Sequence, residues 1–307
     1  MDKADPSLGF TLPFQLTKAI RRDPYAPILP SQAENRQDGR IILVTGGGSG
    51  IGAAAARVWV QAGAQGVVIT GRRADRLEKI AAELKKLNGK TKILAVPTDL
   101  TVEESVQDLF VQVQKAFGRA PDVILASAGT MAPPLSLHQQ PLNAWWKDYE
   151  TNVRSLFITI QCFLRSQPDP SNARGSVFLV SSTLAGLVVP TRSSYATSKL
   201  AAQRLIEYLD AEYPMIRAFT LAPGIVETEI LDKNYLYMAK DHEEMTGMLC
   251  LWLMRPEAEF LRGQFVSVNW DVDELLEHKD RIEEAKLLQI KWHPVLPCGG
   301  NMEGLAG

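Results

Sequence analysis

Cysteine is scarce in this chain. There are three in 307 residues, Cys162, Cys250 and Cys298, odd in number and far apart. That spacing makes neither a disulfide framework nor a metal-ligand pattern, and it suits a reducing compartment, so no metal site is expected. Long apolar runs are missing too. No uninterrupted stretch approaches the roughly 20 residues a membrane helix needs. The first residues, with Asp2, Lys3 and Asp5, are polar where a secretory signal would carry an apolar core. Neither charge is in excess: 33 Lys and Arg against 35 Asp and Glu leave a net charge of −2. This gives no electrostatic ground for nucleic acid or an anionic membrane as partner. These absences lead us to expect a soluble, cytoplasmic protein.

What the chain has is apolar content, 46% of its residues, enough for a large core. Residues 1–39 read as an N-terminal extension. Prolines at 6, 13, 24, 27 and 30 break any long element there, although Phe10, Leu12, Phe14, Leu16 and Ile20 could dock on the body. A regular alternation then begins. Short apolar strands are expected at 41–44, 67–70, 93–96, 123–126, 177–180, 216–221 and 265–268. Helical patterns lie between them, including an Ala-rich one from about Ile51 to Ala62 and long ones at 145–166 and 194–212. The strands are continuous apolar runs, as in a parallel sheet covered on both faces. Right-handed crossovers then give a doubly wound Rossmann sheet of about seven strands over residues 40–270, with ligand at the carboxyl ends of the strands. Residues 271–307 read as a C-terminal tail, with a charged helical pattern from Asp273 to Ile290.

Between the first strand and first helix stands Thr45-Gly46-Gly47-Gly48-Ser49-Gly50-Ile51-Gly52. Glycines here let the backbone approach a pyrophosphate, and the helix N-terminus offers free N–H groups and partial positive charge. By itself such a cluster is also an ordinary structural turn. The second strand ends in Gly71, Arg72 and Arg73, where an NAD site carries a carboxylate for the ribose 2′-hydroxyl. Guanidinium groups pair with a 2′-phosphate instead, so NADP(H) is favoured. The alternative is a solvated charge pair at a helix start.

Tyr195-Ala196-Thr197-Ser198-Lys199 places a phenol and an ammonium at i and i+4 on one helix face. A lysine there stabilises phenolate and lowers the tyrosine pKa toward neutrality. Ser181-Ser182 closes the fifth strand, and Asn152 lies in the preceding long helix.

Taken together these motifs resemble the short-chain dehydrogenase/reductase family, over roughly residues 40–270. The turn is similar to its T-G-x-x-x-G-x-G, with Gly46, Gly50 and Gly52. Asn152, Ser182, Tyr195 and Lys199 resemble its catalytic tetrad. The resemblance implies that Tyr195 exchanges a proton with the substrate oxygen and Ser182 hydrogen-bonds that oxygen. Lys199 would hold the nicotinamide ribose and tune Tyr195, and Asn152 would support a water-linked relay. Ser182 is preferred to Ser181 on spacing. The cofactor contacts implied are Thr45, Gly46, Gly48, Ser49, Gly50, Ile51, Gly52, Arg72, Arg73, Asp99, Leu100, Ala128, Gly129, Tyr195, Lys199, Pro223, Gly224, Ile225 and Thr228. Asp99 and Leu100 would meet the adenine, and Pro223-Gly224-Ile225 with Thr228 would orient the carboxamide. One departure is Ala126-Ser127-Ala128-Gly129, where the family has N-N-A-G. The terminal stretches look like those of fungal members.

Residues 229–262 are where this fold carries a substrate lid. Tyr235, Leu236, Tyr237, Met238, Met245, Met248, Leu249, Leu251, Trp252, Leu253 and Met254 could form an adaptable apolar wall, or simply pack two lid helices. Met131 and Leu135 would face the same pocket, and His138 and His242 are candidate polar contacts. Lys240 is the only cation between Lys233 and Arg255, which argues against a strongly anionic substrate. The expectation is NADP(H)-dependent interconversion of a ketone and a secondary alcohol on a bulky, mostly apolar molecule, in a biosynthetic setting. Isomerisation, epimerisation or another nonredox reaction with the same cofactor, or NADPH sensing, are the alternatives. A homodimer or homotetramer is implied by the family, with Leu156, Phe157, Ile160, Phe163 and Leu164 on a dimer face or against the sheet.

Overall fold

The computed structural model describes residues 5–285 and 287–290; Cys298 lies outside them. Seven parallel strands form one sheet in the order β3-β2-β1-β4-β5-β6-β7. They are β1 (Ile41–Thr45), β2 (Gly66–Gly71), β3 (Lys92–Pro97), β4 (Val123–Ala126), β5 (Gly175–Val180), β6 (Ile216–Ala222) and β7 (Phe265–Ser267). Both faces of β1 are buried because successive side chains alternate between two cores. Ile42 and Val44 join Trp59, Leu77, Phe178 and Trp252 on one side of the sheet. Ile41 and Leu43 join Val106, Leu109, Phe163 and Ile206 on the other. A fully buried side chain of this kind contributes about 1.5–3 kcal/mol through removal from water.

The first core is covered by α1 (Gly50–Gln61) and α2 (Ala74–Leu87), and the second by α3 (Glu103–Phe117). The long helix expected at 145–166 is α4 (Leu142–Tyr149), a wide π-helical turn over Glu150–Arg154, and α5 (Ser155–Arg165). α6 (Ser193–Glu212) follows β5. Leu156, Ile160 and Phe163 face the sheet, whereas Phe157 is 48% exposed.

Two expectations need adjustment. The second half of the supposed lid, α7 (Met245–Leu253), is buried along its whole length and packs on α1. Its Gly247 lies so close that an added Cβ would meet the Ala55 Cα at 2.7 Å. Met245, Met248, Leu249, Leu251, Trp252 and Leu253 are therefore core. The tail pattern is two short helices, α8 (Val272–Glu277) and α9 (Lys279–Ala285).

The extension docks as a strap on the segment after β7. The Trp270 indole donates to the Phe14 carbonyl at 2.7 Å, and the Arg21 N–H donates to Asn269 O at 2.8 Å. Glu274 accepts from the N–H groups of Lys18 and Ala19, and Arg21 pairs with Asp271.

Candidate active site

β1 separates two strands that leave it in opposite directions, β2 and β4, and the crevice at their carboxyl ends is where this topology accepts ligands. A cleft of about 920 Å³ opens there. Its near end is the glycine turn. Gly46 has φ +68°, and a Cβ on it would lie 2.9 Å from the Ala128 backbone nitrogen. A Cβ on Gly52 would lie 2.4 Å from the Gly46 carbonyl oxygen. Any larger residue at either position would spread the turn. Gly48, Ser49, Gly50 and Ile51 line the cleft at the start of α1. This backbone cradle at a helix N-terminus fits the pyrophosphate of a dinucleotide.

The two arginines differ. Arg73 donates to Glu229 at 2.9 Å and to Ser49 Oγ at 3.3 Å, and Arg76 pairs with the same Glu229 carboxylate. These arginines hold Glu229 below the usual carboxylate range, the hydrogen bond from Arg76 most strongly. Arg72 is exposed on the cleft wall, and among the described residues it has no ion-pair partner. Asp99, also on the wall, accepts from Thr101 N (3.0 Å) and Oγ1 (2.7 Å), which lowers its pKa.

At the far end, β5 runs out at Val180 and delivers Ser181 and Ser182, while the first turn of α6 delivers Tyr195 and Lys199. Ser182, Tyr195 and Lys199 meet on the cleft wall. The Ser182 hydroxyl is close enough to the phenol to lower its pKa, and it accepts from Leu184 N–H at 3.2 Å. Ser181 Oγ is buried without a partner. The Lys199 ammonium is 5.7 Å from the centroid of the Tyr195 ring and donates to the Val180 carbonyl at 2.8 Å. Burial pushes Tyr195 up to about 12, against the pull of Ser182, and pushes Lys199 down to about 8. For the phenol, desolvation outweighs the lowering by Ser182 and by the Arg192 charge.

Asn152 stands behind the wall. Its Oδ1 accepts from Thr130 N–H (2.9 Å), and its Nδ2 donates to Thr130 O (3.0 Å) and Ser198 Oγ (2.9 Å). The π-helical turn that carries it is a kind of distortion frequently found at functional sites. Here its side chain clamps the loop after β4 to α6. Thr45 and Gly52 also lie behind the lining. The Thr45 hydroxyl accepts from the N–H groups of Ser127 and Ala128, both at 3.1 Å, and so joins β1 to β4. All other expected catalytic and cofactor residues line the cleft: Gly46, Gly48, Ser49, Gly50, Ile51, Arg72, Arg73, Asp99, Leu100, Ala128, Gly129, Ser182, Tyr195, Lys199, Pro223, Gly224, Ile225 and Thr228.

Two buried carboxylates escaped the sequence reading. Asp148, 1% exposed, accepts from Thr130 Oγ1 (3.0 Å), Ala132 N (2.9 Å) and Ser194 Oγ (2.7 Å). It ties the loop after β4 to the residue before Tyr195. Asp241 accepts from Ile225 N (2.6 Å), Asn269 Nδ2 (2.7 Å) and Arg22 Nη1 (3.1 Å), while burial raises its pKa. It latches the strap to the loop that carries Pro223 and Gly224. Only the partners, distant in sequence, distinguish these acids from solvated ones.

The substrate side of the cleft is walled by Met131, Leu184, Val189, Tyr235, Met238 and, from the strap, Phe10. Leu135, His138 and His242 are not on it.

Comparison with known proteins agrees with this geometry. A family model described as short chain dehydrogenase matches residues 40–236. The short chain dehydrogenase mpl6 of Monascus purpureus is 30% identical over 297 residues, covering 93% of this chain and 98% of that protein. The short chain dehydrogenase pigC of Monascus ruber is 28% identical, covering 91% and 94%. Among solved structures, a short-chain type dehydrogenase/reductase from Mycobacterium ulcerans superposes with TM-score 0.69 at 25% identity, covering 76% of this chain and 89% of that one.

Proposed function

The chain belongs to the short chain dehydrogenase family, whose members use nicotinamide cofactors, and on that premise we propose that it interconverts a ketone and a secondary alcohol on a bulky, mostly apolar small molecule with NADP(H). The observation that carries this reading is the meeting of Ser182, Tyr195 and Lys199 at one end of a cleft whose other end holds the glycine turn and Arg72. When bound, the nicotinamide supplies or takes up the hydride. In reduction the Tyr195 hydroxyl donates its proton to the carbonyl oxygen, and the Ser182 hydroxyl donates a hydrogen bond to the same atom. A phenol with a pKa of about 12 stays protonated near neutrality, which favours its role as the acid of the reducing direction. Lys199, fixed by Val180, offers its ammonium to the ribose. Asn152 acts here as the clamp that holds Thr130 against α6.

The preference for the 2′-phosphate rests on Arg72, with Arg73 and Arg76 partly neutralised by Glu229. The wall formed by Phe10, Met131, Leu184 and Met238 supports an apolar substrate body, and the fungal relatives support a biosynthetic setting. Exposed Trp146, Phe157, Leu200 and Tyr208 on α4, α5 and α6 support a homodimer or homotetramer through these helices. Among the described residues no helix is long and apolar enough to cross a membrane, and Cys162 and Cys250 are free thiols, which supports a cytoplasmic setting. The direct test is NADPH absorbance followed with a panel of alicyclic and aromatic ketones. Oxidation of NADPH that depends on the ketone is expected, and its absence with every member would refute the reading.

A further inference from the structure

The arginines of this protein are mostly engaged with acids. Arg21, Arg22, Arg57, Arg217, Arg255 and Arg262, for example, all reach a carboxylate. Arg192 does not. It is the residue just before α6, three positions ahead of Tyr195, and only 9% of it is exposed. The exposed part faces the substrate side of the cleft. Among the described residues no carboxylate lies within ion-pairing distance of its guanidinium and no acceptor is bonded to it. Its guanidinium lies over the face of Tyr235, with the ring centroid 5.9 Å from the guanidinium carbon. Two acids of the neighbourhood are occupied elsewhere. Asp148 is bound by Thr130, Ala132 and Ser194, and Asp232 accepts from the N–H of Asn234 at 2.9 Å.

A cation held nine-tenths out of water without a counter-ion is costly, and such groups are normally paired. We infer that Arg192 is the recognition group for a carboxylate carried by the substrate. The inference rests on the proposed ketone and alcohol chemistry and sharpens it: the substrate has an apolar body and one acidic end. The planar fork of the guanidinium matches the two oxygens of a carboxylate, and the aromatic face of Tyr235 steadies its plane. Arg192 stands three residues before Tyr195 and both line the cleft, so one small molecule can present its acid to the first and its carbonyl to the second. This cation enters the cleft from the turn ahead of Tyr195, outside the lid segment.

A matched pair of ketones tests this: 4-oxo-4-phenylbutanoate and its methyl ester, reduced with NADPH. The wild-type protein is expected to favour the acid. In Arg192→Gln the acid-to-ester ratio of kcat/KM should fall by about ten- to a hundredfold, the range for a lost charge-assisted hydrogen bond. Arg192→Lys, with charge but no fork, should hold an intermediate ratio. Thermal melts check that both variants fold. A wild-type ratio near one, or a ratio unmoved in Arg192→Gln, overturns the inference. Should the wild type reduce neither ketone, the redox reading fails separately, and binding decides this one. Saturation-transfer NMR must then show the acid bound more strongly than the ester, and the difference must vanish in Arg192→Gln. Equal signals from the two compounds would overturn it.

Discussion

The two ends of the cleft are built on opposite plans. At the glycine turn the charged side chains are on the surface: Arg72 is free, and Arg73 and Arg76 share one exposed carboxylate. At the tyrosine end most of the polar groups are buried, and several are held by partners in the interior. Lys199 is on Val180, Asn152 bridges Thr130 and Ser198, and Asp148 bridges Thr130, Ala132 and Ser194. The first plan tolerates exchange, because an exposed ion pair is weak and screened by salt. The second does not, since a buried network fails when one member is removed. The groups proposed to select the nucleotide are thus adjustable, whereas those proposed for the chemistry are held rigidly.

The largest effect should come at the rigid end. Tyr195→Phe is expected to lower kcat by about 10²–10⁴-fold, the usual contribution of a general acid, without loss of fold. Steady-state turnover checks this, and a loss under tenfold would remove the phenol from the mechanism. Asp148→Ala should cost about 3 kcal/mol in urea unfolding, because the N–H of Ala132 and two hydroxyls lose their acceptor in the interior. Asp99→Ala, on the exposed wall, should stay within about 0.5 kcal/mol of wild type. Equal losses for the two aspartates would erase the contrast drawn here.

Changes at the exchangeable end should be smaller and selective. Arg72→Ala is expected to weaken NADPH by about tenfold while leaving NADH within twofold, as read by fluorescence titration. Glu229→Gln frees Arg73 and Arg76 and should tighten NADPH by about threefold, an effect that fades at high salt. A last signal is a pH dependence. The folded pKa of Lys199, about 8, lies below its ordinary value of 10.5. Between these values the unfolded chain binds more protons, so this group makes stability rise with pH across that window, and its penalty is complete below about 8. Lys199→Met removes the term. Relative to wild type, its melting temperature should be most favourable at pH 7 and lose ground by pH 10. A constant difference would mean that Lys199 is not desolvated as described.

Much of this was legible from the residues. The strands could be read because Ile41–Thr45 and its neighbours are buried on both faces and so are continuously apolar. The glycine turn and the Tyr195–Lys199 pair could be read because their spacing is local. What was hidden depends on distant partners. Asp148 looks like any acid on an amphipathic helix until the loop at 130–132 and Ser194 close on it. Met245–Leu253 is apolar whether it lines a pocket or a core, and only its packing on α1 decides for the core. Arg192 had a local signal, three residues from Tyr195, but its lack of a counter-ion is a property of the folded surroundings.

The strap has a temporal consequence. Phe10, which walls the cleft, leaves the ribosome well before the groups that dock the strap, Asn269–Glu274. Residues about 250 positions apart must find each other before that wall exists, and such non-local closure is slow. The cleft is therefore completed only after the segment following β7 has been made and the strap has docked on it.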